Sequence, residues 1–532
     1  MEKYSWLGQA PEYPEERIDE TLSADVIICG GGLAGVAAAR AAVECGARCI
    51  LFEKCAAVQG RSGQFAVIGG KLLERWGIDT TQNREKILDA LMAESGSNAR
   101  RDIFSFLLDH IGEDLDWYLK GLPEDGTYFA KTAYDAAPEG TRTTVLPMRW
   151  PAQKNYHPEE ERWPVYPATI NMIPSHVPVL RRNLELAMQT GRLRVFFSTP
   201  VRRLLVDPDS GRVTGVIAED HDGNVIRALA AGAVILATGD YSGDPEMLET
   251  FFPEFAGHPR LSCGVTPDKK PANTGDGHRM AMWIGARLEE GEHCINCHNM
   301  GGAMGVTPFL MLNTEGKRFM NEDVPGHAVE RGIMACPGQT AWQIFDNAWP
   351  EQIPYMPVGH GACSDLLPEA EGVNKRVGPM DSYASAENLR MDLERGGTVT
   401  ADTPEDLAEK AGLPVSEFLR SVERYNALAE SGEDPDFGKP GRHMFPLVNP
   451  PYYASRISSA PMLCTHSGLV SDPDCACYGT DGNVIPGLLL AGNVQGSRFS
   501  GDYPTVMPGI SHSMALTYGR RAGQLAADLV GK

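Results

Sequence analysis

The chain has 532 residues, with 70 Asp and Glu against 48 Lys and Arg, a formal charge of -22 and a pI near 5.1. That length accommodates two or more domains, and the acidic balance argues against nucleic acid or an anionic membrane surface as partner, since both demand clustered cations. No window approaches the roughly 18 consecutive apolar residues of a membrane span, and the first 16 residues lack a basic-then-apolar signal pattern. Twelve cysteines are scattered along the chain, Cys29 and Cys49 among them inside apolar runs, so reduced thiols and a cytoplasmic setting are expected.

Residues 1–23 are polar and proline-containing and read as an arm on the surface. Asp25 to Glu53 then spell one strand, one glycine turn, one helix and a second strand. Val26 to Cys29 is short and apolar enough for a buried parallel strand, and Gly30, Gly32 and Gly35 form a Gly-x-Gly-x-x-Gly turn. Gly30 permits the tight turn, Gly32 lets backbone approach a pyrophosphate, and Gly35 lets helix and strand pack closely. The helix, alanine-rich from Val36 to Val43 and stopped at Gly46, turns its positive end toward the phosphates. Arg48 to Phe52 is the second strand, delivering Glu53 where an acid accepts ribose hydroxyl hydrogen bonds. Together these features indicate a bound dinucleotide.

Gly60 to Lys71 shows neither helical nor strand period and reads as a loop held close to a ligand. Apolar spacing predicts two helices over 82–120, whereas 121–172 mixes prolines, charges and aromatics and reads as loops near a ligand mouth. Ser175 to Gly191 is an amphipathic helix and Arg194 to Phe197 a strand. A hairpin follows over Leu204 to Val206 and Val213 to Glu219, turning at Asp209-Ser210-Gly211. Ala231 to Asp240 is a buried strand ending in Thr238-Gly239. From about 245 to 455 the texture changes, which predicts a second, inserted domain. Within it Thr403 caps a helix that begins at Pro404, with Asp406 in the first turn and Leu407 and Ala411 on the apolar face. Asn483 to Gly496 is another buried strand, and Ser511 to Val530 a closing helix after Pro508-Gly509. Strands ending near Cys29, Thr238 and Gly492 would bring three glycine turns to the carboxyl edge of one sheet, where open α/β folds bind ligands.

Taken together, these landmarks resemble the flavoprotein family of soluble fumarate reductases, succinate dehydrogenase flavoprotein subunits and 3-ketosteroid dehydrogenases. The resemblance covers most of the chain. It rests on GGGLAGVAAA with Glu53-Lys54, RSGQFAVIGG from Arg61, ILATGD, NTGDGHRMAMWIGA from Asn273, LNTEGKRFMNE from Leu312, and IPGLLLAGNVQG with the closing helix. It implies an α/β fold: a Rossmann-type, glutathione-reductase-like FAD-binding domain over 24–244 and 456–532, with an α+β capping domain inserted over 245–455. It implies FAD held by Gly30, Gly32, Leu33, Ala34 and Gly35, with adenine and ribose near Glu53, Lys54 and Val201. Arg61, Ser62, Thr238, Gly239, Asp276 and Gly492 belong to the same set. The flavin is expected near Gly69, Gly70 and Asn493. Some relatives bond a histidine of this loop to the flavin; Gly63 occupies that position, so noncovalent FAD is expected. Reduced flavin carries negative charge near N1 and O2, and the helix beginning at Gly509, Ile510 and Ser511 offers its positive end to it. The sequence holds no second Gly-x-Gly-x-x-Gly unit for a nicotinamide cofactor, so electrons are expected from a separate donor, a protein or free reduced flavin.

In this family hydride passes between flavin N5 and one carbon of a bond activated by an adjacent carbonyl or carboxylate, while a side chain moves a proton at the neighbouring carbon. The arginine acid of fumarate reductases is replaced by Gly326, with His327 beside it, and a second substrate arginine is replaced by Val506. Both losses count against a diacid, since a buried carboxylate without a cationic partner is costly. Tyr503, His466 and His327 are the catalytic candidates. A tyrosine acid resembles the ketosteroid enzymes and suits a less charged enone or aryl enoate. Glu322 reads as a structural partner of Arg318. Cys294-x-x-Cys297-His298 spells a haem attachment motif, but haem attachment occurs outside the cytoplasm and the motif lies within the capping domain. Cys294 and Cys297 with Cys263 or Cys336 are a weaker cluster or zinc possibility, so no metal is expected, and His298 is a substrate-side candidate. The expected activity is reduction of a C=C bond conjugated to a carbonyl or carboxylate. Its rivals are a ketosteroid dehydrogenase running oxidatively and a noncatalytic electron-relay subunit.

Overall fold

A computed structural model describes residues 4–75, 84–96, 99–120, 127–129, 142–148, 168–173, 175–255, 264–297, 302–305, 307–324, 326–356, 386–459 and 462–531. The chain divides into two compact units, one of 1–147, 167–296 and 462–532, the other of 148–166 and 297–461.

The first unit is built on a parallel sheet. Strand β1 (Glu20–Cys29) pairs in parallel with β2 (Cys49–Phe52) on one side and on the other with β4 (Val225–Leu236), while β2 also pairs with β3 (Leu193–Phe196). Strand β5 (Val484–Leu490) lies parallel to the far side of β4. Val26, Ile27, Ile28 and Cys29 are inaccessible, as a strand covered on both faces requires. Residues 201–206 and 213–219 form the expected hairpin, whose second strand runs antiparallel to the start of β4.

Helix α1 (Leu33–Glu44) connects β1 to β2, and helix α2 (Ile510–Asp528) packs against it. Small residues set that approach. A methyl group on Gly519 would lie 2.5 Å from the Ala34 carbonyl oxygen, and one on Gly523 2.2 Å from that of Ala38.

Four expectations change. The arm is not merely superficial: residues 20–23 extend β1, Trp6 is buried, and the carbonyls of Trp6 and Leu7 accept from Arg279 and Trp283. The stretch 60–71 contains a strand, Gln64–Val67, paired antiparallel with Ala168–Asn171 about a hundred residues away. Strands also occupy 127–129 and 142–148, where loops were expected. Such long-range pairing leaves little local period to read. Residues 245–296 cluster with the first unit. Asn273 donates to Asp240 at 2.6 Å and Asp276 meets Lys54 at 2.8 Å, ties that a change of texture in sequence does not reveal.

The second unit holds an antiparallel sheet of Leu310–Asn313, Thr340–Asp346, Tyr452–Ser458 and Thr398–Ala401. Helices Pro404–Ala411 and Val415–Ser431 cover it through Leu407, Phe418, Val422 and Leu428. Thr403 caps the first helix, accepting from the Asp406 N–H at 3.2 Å. No helix among the described residues is long and apolar enough to cross a membrane.

Candidate functional site

The carboxyl ends of β1, β4 and β5 lie side by side and open onto a cleft of about 1190 Å³. Gly30, Gly32, Leu33 and Ala34 form one wall, Glu53, Lys54, Arg61 and Val201 another, and Thr238, Gly239, Asp276, Gly492, Asn493 and Ser511 complete it. All were expected there.

Gly30 adopts φ +109°, and a methyl group on it would lie 2.3 Å from the Ala237 carbonyl oxygen. Gly32, by contrast, has no protein atom within 4 Å of where its Cβ would stand. Its missing side chain therefore leaves room for a ligand at the head of α1 rather than for packing. Thr238 Oγ1 is a second sign of a missing partner: it is buried and makes no hydrogen bond among the described residues. Glu53 is fixed by its own backbone neighbours, accepting from the Gly31 N–H at 2.5 Å and the Cys55 N–H at 2.7 Å. Its remaining lone pairs suit ribose hydroxyls. Lys54 and Asp276 are engaged with each other, and both reach Thr274. Cleft, glycine cradle, helix N-terminus and orphaned hydroxyl all fit a dinucleotide.

Six expected residues do not line the cleft. A methyl group on Gly35 would lie 1.8 Å from the Gly30 carbonyl oxygen, on Gly70 2.8 Å from that of Gly112, and on Gly509 2.5 Å from that of Gln64. These three shape the scaffold. Ser62 and Gly69 hold left-handed turns, and Ile510 is buried at the start of α2.

The proposed chemistry centres elsewhere in the same unit. His466 is inaccessible and does not line the cleft; Cys464, two residues earlier, does. His466 Nδ1 lies 3.3 Å from Asn493 Oδ1 and its Nε2 3.4 Å from the Cys464 sulfur. With Nδ1–H donating to Asn493, Nε2 accepts from the thiol. The Tyr503 ring stacks on His466 at 4.8 Å, and its hydroxyl oxygen accepts from the Ser511 N–H at 3.1 Å. Burial raises the Tyr503 pKa, so the phenol stays protonated at neutral pH. Val506 is buried, and the Thr505 and Val506 N–H groups donate to Glu94 at 2.8 and 3.2 Å. His327 lies on helix Gly326–Met334 of the second unit, and its side chain is outside the described residues, as are those of Cys297 and His298. Glu322 is held by Arg318 at 2.9 Å and by Lys439 at 3.4 Å.

Several residues escaped the sequence reading. Cys464, His176, His512, Gln59 and Asn273 line the cleft, and Arg498 stands fully buried behind Asn493. Arg498 donates to the Gln495 carbonyl at 2.8 Å and more distantly to Asn493 and His466, while its Nη1 has no hydrogen-bond partner among the described residues. Burial lowers its pKa to about 10, so it remains a cation. The available signals were adjacency: His512 follows Ser511, and Cys464 lies two residues before His466.

A model of the FAD binding domain matches residues 25–506. The chain belongs to the FAD binding domain family. Its cofactor is FAD. NADH:acrylate oxidoreductase of Vibrio harveyi is 24% identical over 98% of this chain, which spans about half, 52%, of that protein's length. Vinyl phenol reductase of Lactiplantibacillus plantarum is 25% identical over 95% of this chain and 97% of its own. The 3-oxosteroid 1-dehydrogenase of Mycobacterium tuberculosis is 26% identical over 96% and 99%. The fold matches that of 3-ketosteroid-Δ4-(5α)-dehydrogenase from Rhodococcus jostii RHA1, with a TM-score of 0.68 at 23% identity over 97% of this chain and 99% of that one. The relatives named here are oxidoreductases, and this chain shares their FAD binding domain.

Proposed function

We propose that the protein reduces a C=C bond conjugated to a carbonyl or a single carboxylate, an enone or aryl enoate rather than fumarate. FAD sits noncovalently in the cleft, with pyrophosphate over Gly30 to Leu33, ribose at Glu53, and flavin toward Asn493 and the start of α2. Noncovalent binding is supported at Gly63, whose Cβ would stand 1.9 Å from the Met172 carbonyl oxygen, so no linking side chain fits. Bound FAD supplies the two-electron chemistry.

The observation that carries the substrate class is the buried aromatic cluster of His466, Phe499 and Tyr503, which lies behind the cleft-lining Cys464 and Asn493. Its rings are 4.8 to 5.3 Å apart, the Arg498 guanidinium lies 5.4 Å from the Phe499 ring, and the buried Val506 donates its N–H to the Glu94 carboxylate. Among the described residues a second acid on the substrate would meet no cation there other than Arg498 and would be costly to bury. Arg498, one buried guanidinium with an unsatisfied nitrogen, supports a single carboxylate or carbonyl. Tyr503 gives its phenolic proton to the carbon next to the activating group, the Ser511 N–H stabilising the oxygen as the proton leaves. His466, aligned by Asn493 and Cys464, stacks on that ring and fixes its direction. Two relatives are named for reductions of an acrylate and a vinyl phenol, which supports the reductive direction. A separate protein or reduced flavin supplies the electrons.

Turnover with reduced viologen, under anaerobic conditions, on a panel of enoates, enones, 3-ketosteroids and fumarate tests this. Oxidation of viologen by aryl enoates or enones supports it. Activity confined to fumarate refutes the substrate class, and activity only with saturated ketosteroids and an acceptor refutes the direction.

A further inference from the structure

Two histidines line the FAD cleft, and the chemistry above uses neither. His512 lies in the first turn of α2, where its Nδ1 is 2.8 Å from the Gln64 carbonyl oxygen, so Nδ1–H donates. The backbone of Arg61 also reaches this ring and favours its charged form. Neutral imidazole has one N–H, so a ring facing two backbone acceptors is better satisfied as imidazolium. Against this stand burial and a second ring. His512 stacks on Phe65 at 5.2 Å, and His176 stands 5.0 Å away, its Nδ1 3.4 Å from the Tyr118 hydroxyl. Burial, then the mutual repulsion of the two rings, holds His176 well below the ordinary histidine value, and burial lowers His512 as well. Beyond each other, the titratable or charged neighbours of the pair are Tyr118 and Arg61, with Arg40 acting on Tyr118.

We propose that His512, backed by His176, is a proton site coupled to the cofactor: neutral while FAD is oxidised, it takes one proton when two electrons reduce FAD. The proton enters from solvent with the electrons and returns when they leave. Negative charge gained by the flavin offsets the burial that otherwise keeps the ring neutral, and His176 ensures that the pair holds one proton rather than two. This rests on the placement of the flavin beside the start of α2.

The test is the midpoint potential of FAD-loaded protein between about pH 6 and 8, with the reduced-state spectrum recorded alongside. For a two-electron couple each proton taken up contributes about 30 mV per pH unit. Wild type is expected to show about 59 mV per pH unit with an anionic reduced-flavin spectrum, one proton residing on the flavin and one on the protein. His512→Gln keeps a donor for the Gln64 carbonyl but cannot titrate, and its slope is expected to fall to about 30 mV. Equal slopes in the two proteins overturn the proposal, as does a wild-type slope of about 30 mV. Should the variant lose FAD, protons counted during photoreduction of wild type in weak buffer decide. Two per FAD with an anionic spectrum support it; one, or two with a neutral-flavin spectrum, overturn it. The expected slopes in a protein reoxidised by no alkene would refute the proposed reaction and leave this proton site standing.

Discussion

The FAD cleft and the ion cluster of the second unit place polar groups under cover in opposite ways. In the cluster each charge is matched. Arg318 meets both Glu322 and Asp434 at 2.9 Å, and Lys439 lies 3.4 Å from Glu322 and 3.1 Å from the Tyr425 hydroxyl. In the cleft a buried hydroxyl has no partner, and the space beside Gly32 is left open. Saturation marks a structural site, whereas an orphaned donor marks a place kept for something that arrives later. The motif GKRFMNE, conspicuous in sequence, falls on the saturated side, so Glu322 serves the fold.

That contrast breaks most sharply at the glycine turn. Gly30→Val should abolish FAD binding, since its side chain would collide with the Ala237 carbonyl. The flavin absorbance of purified protein checks this. Tyr503→Phe should retain FAD and the thermal midpoint but lower kcat by about 10²- to 10⁴-fold, the range of a lost general acid, read by stopped-flow reoxidation. Glu322→Leu should do the reverse. It leaves Arg318 and Lys439 short of a buried partner and costs roughly 3–5 kcal/mol in denaturant unfolding, with kcat per folded molecule unchanged. Thr403→Ala, which removes only a helix cap, should cost about 1 kcal/mol and leave flavin and activity untouched.

Much of the cleft was legible because its signals are local. The turn Gly30 to Gly35, Glu53 at the end of β2 and the strand ends at Thr238 and Gly492 each combine a short apolar run with glycine. The parallel sheet brings them together without further instruction. What escaped depends on contacts far apart in sequence. Gln64–Val67 is a strand only because Ala168–Asn171 pairs with it. The CTHSGL segment pointed to His466, yet Cys464 lines the cleft while His466 packs behind it against Tyr503. Cys464 lies in the strand Met462–Thr465 and His466 just past its end, and only tertiary packing decides which of them lines the cleft. Arg498 was invisible for the same reason, its burial being a property of the folded unit.

The central claim is that a buried aromatic cluster with a tyrosine proton donor and a single arginine directs two electrons from FAD to a conjugated alkene other than a diacid. Photoreduced, FAD-loaded protein mixed anaerobically with an aryl enoate, and separately with fumarate, tests it directly. Return of the oxidised flavin band with the aryl enoate and not with fumarate is predicted; reoxidation by fumarate alone, or by no alkene at all, would contradict it.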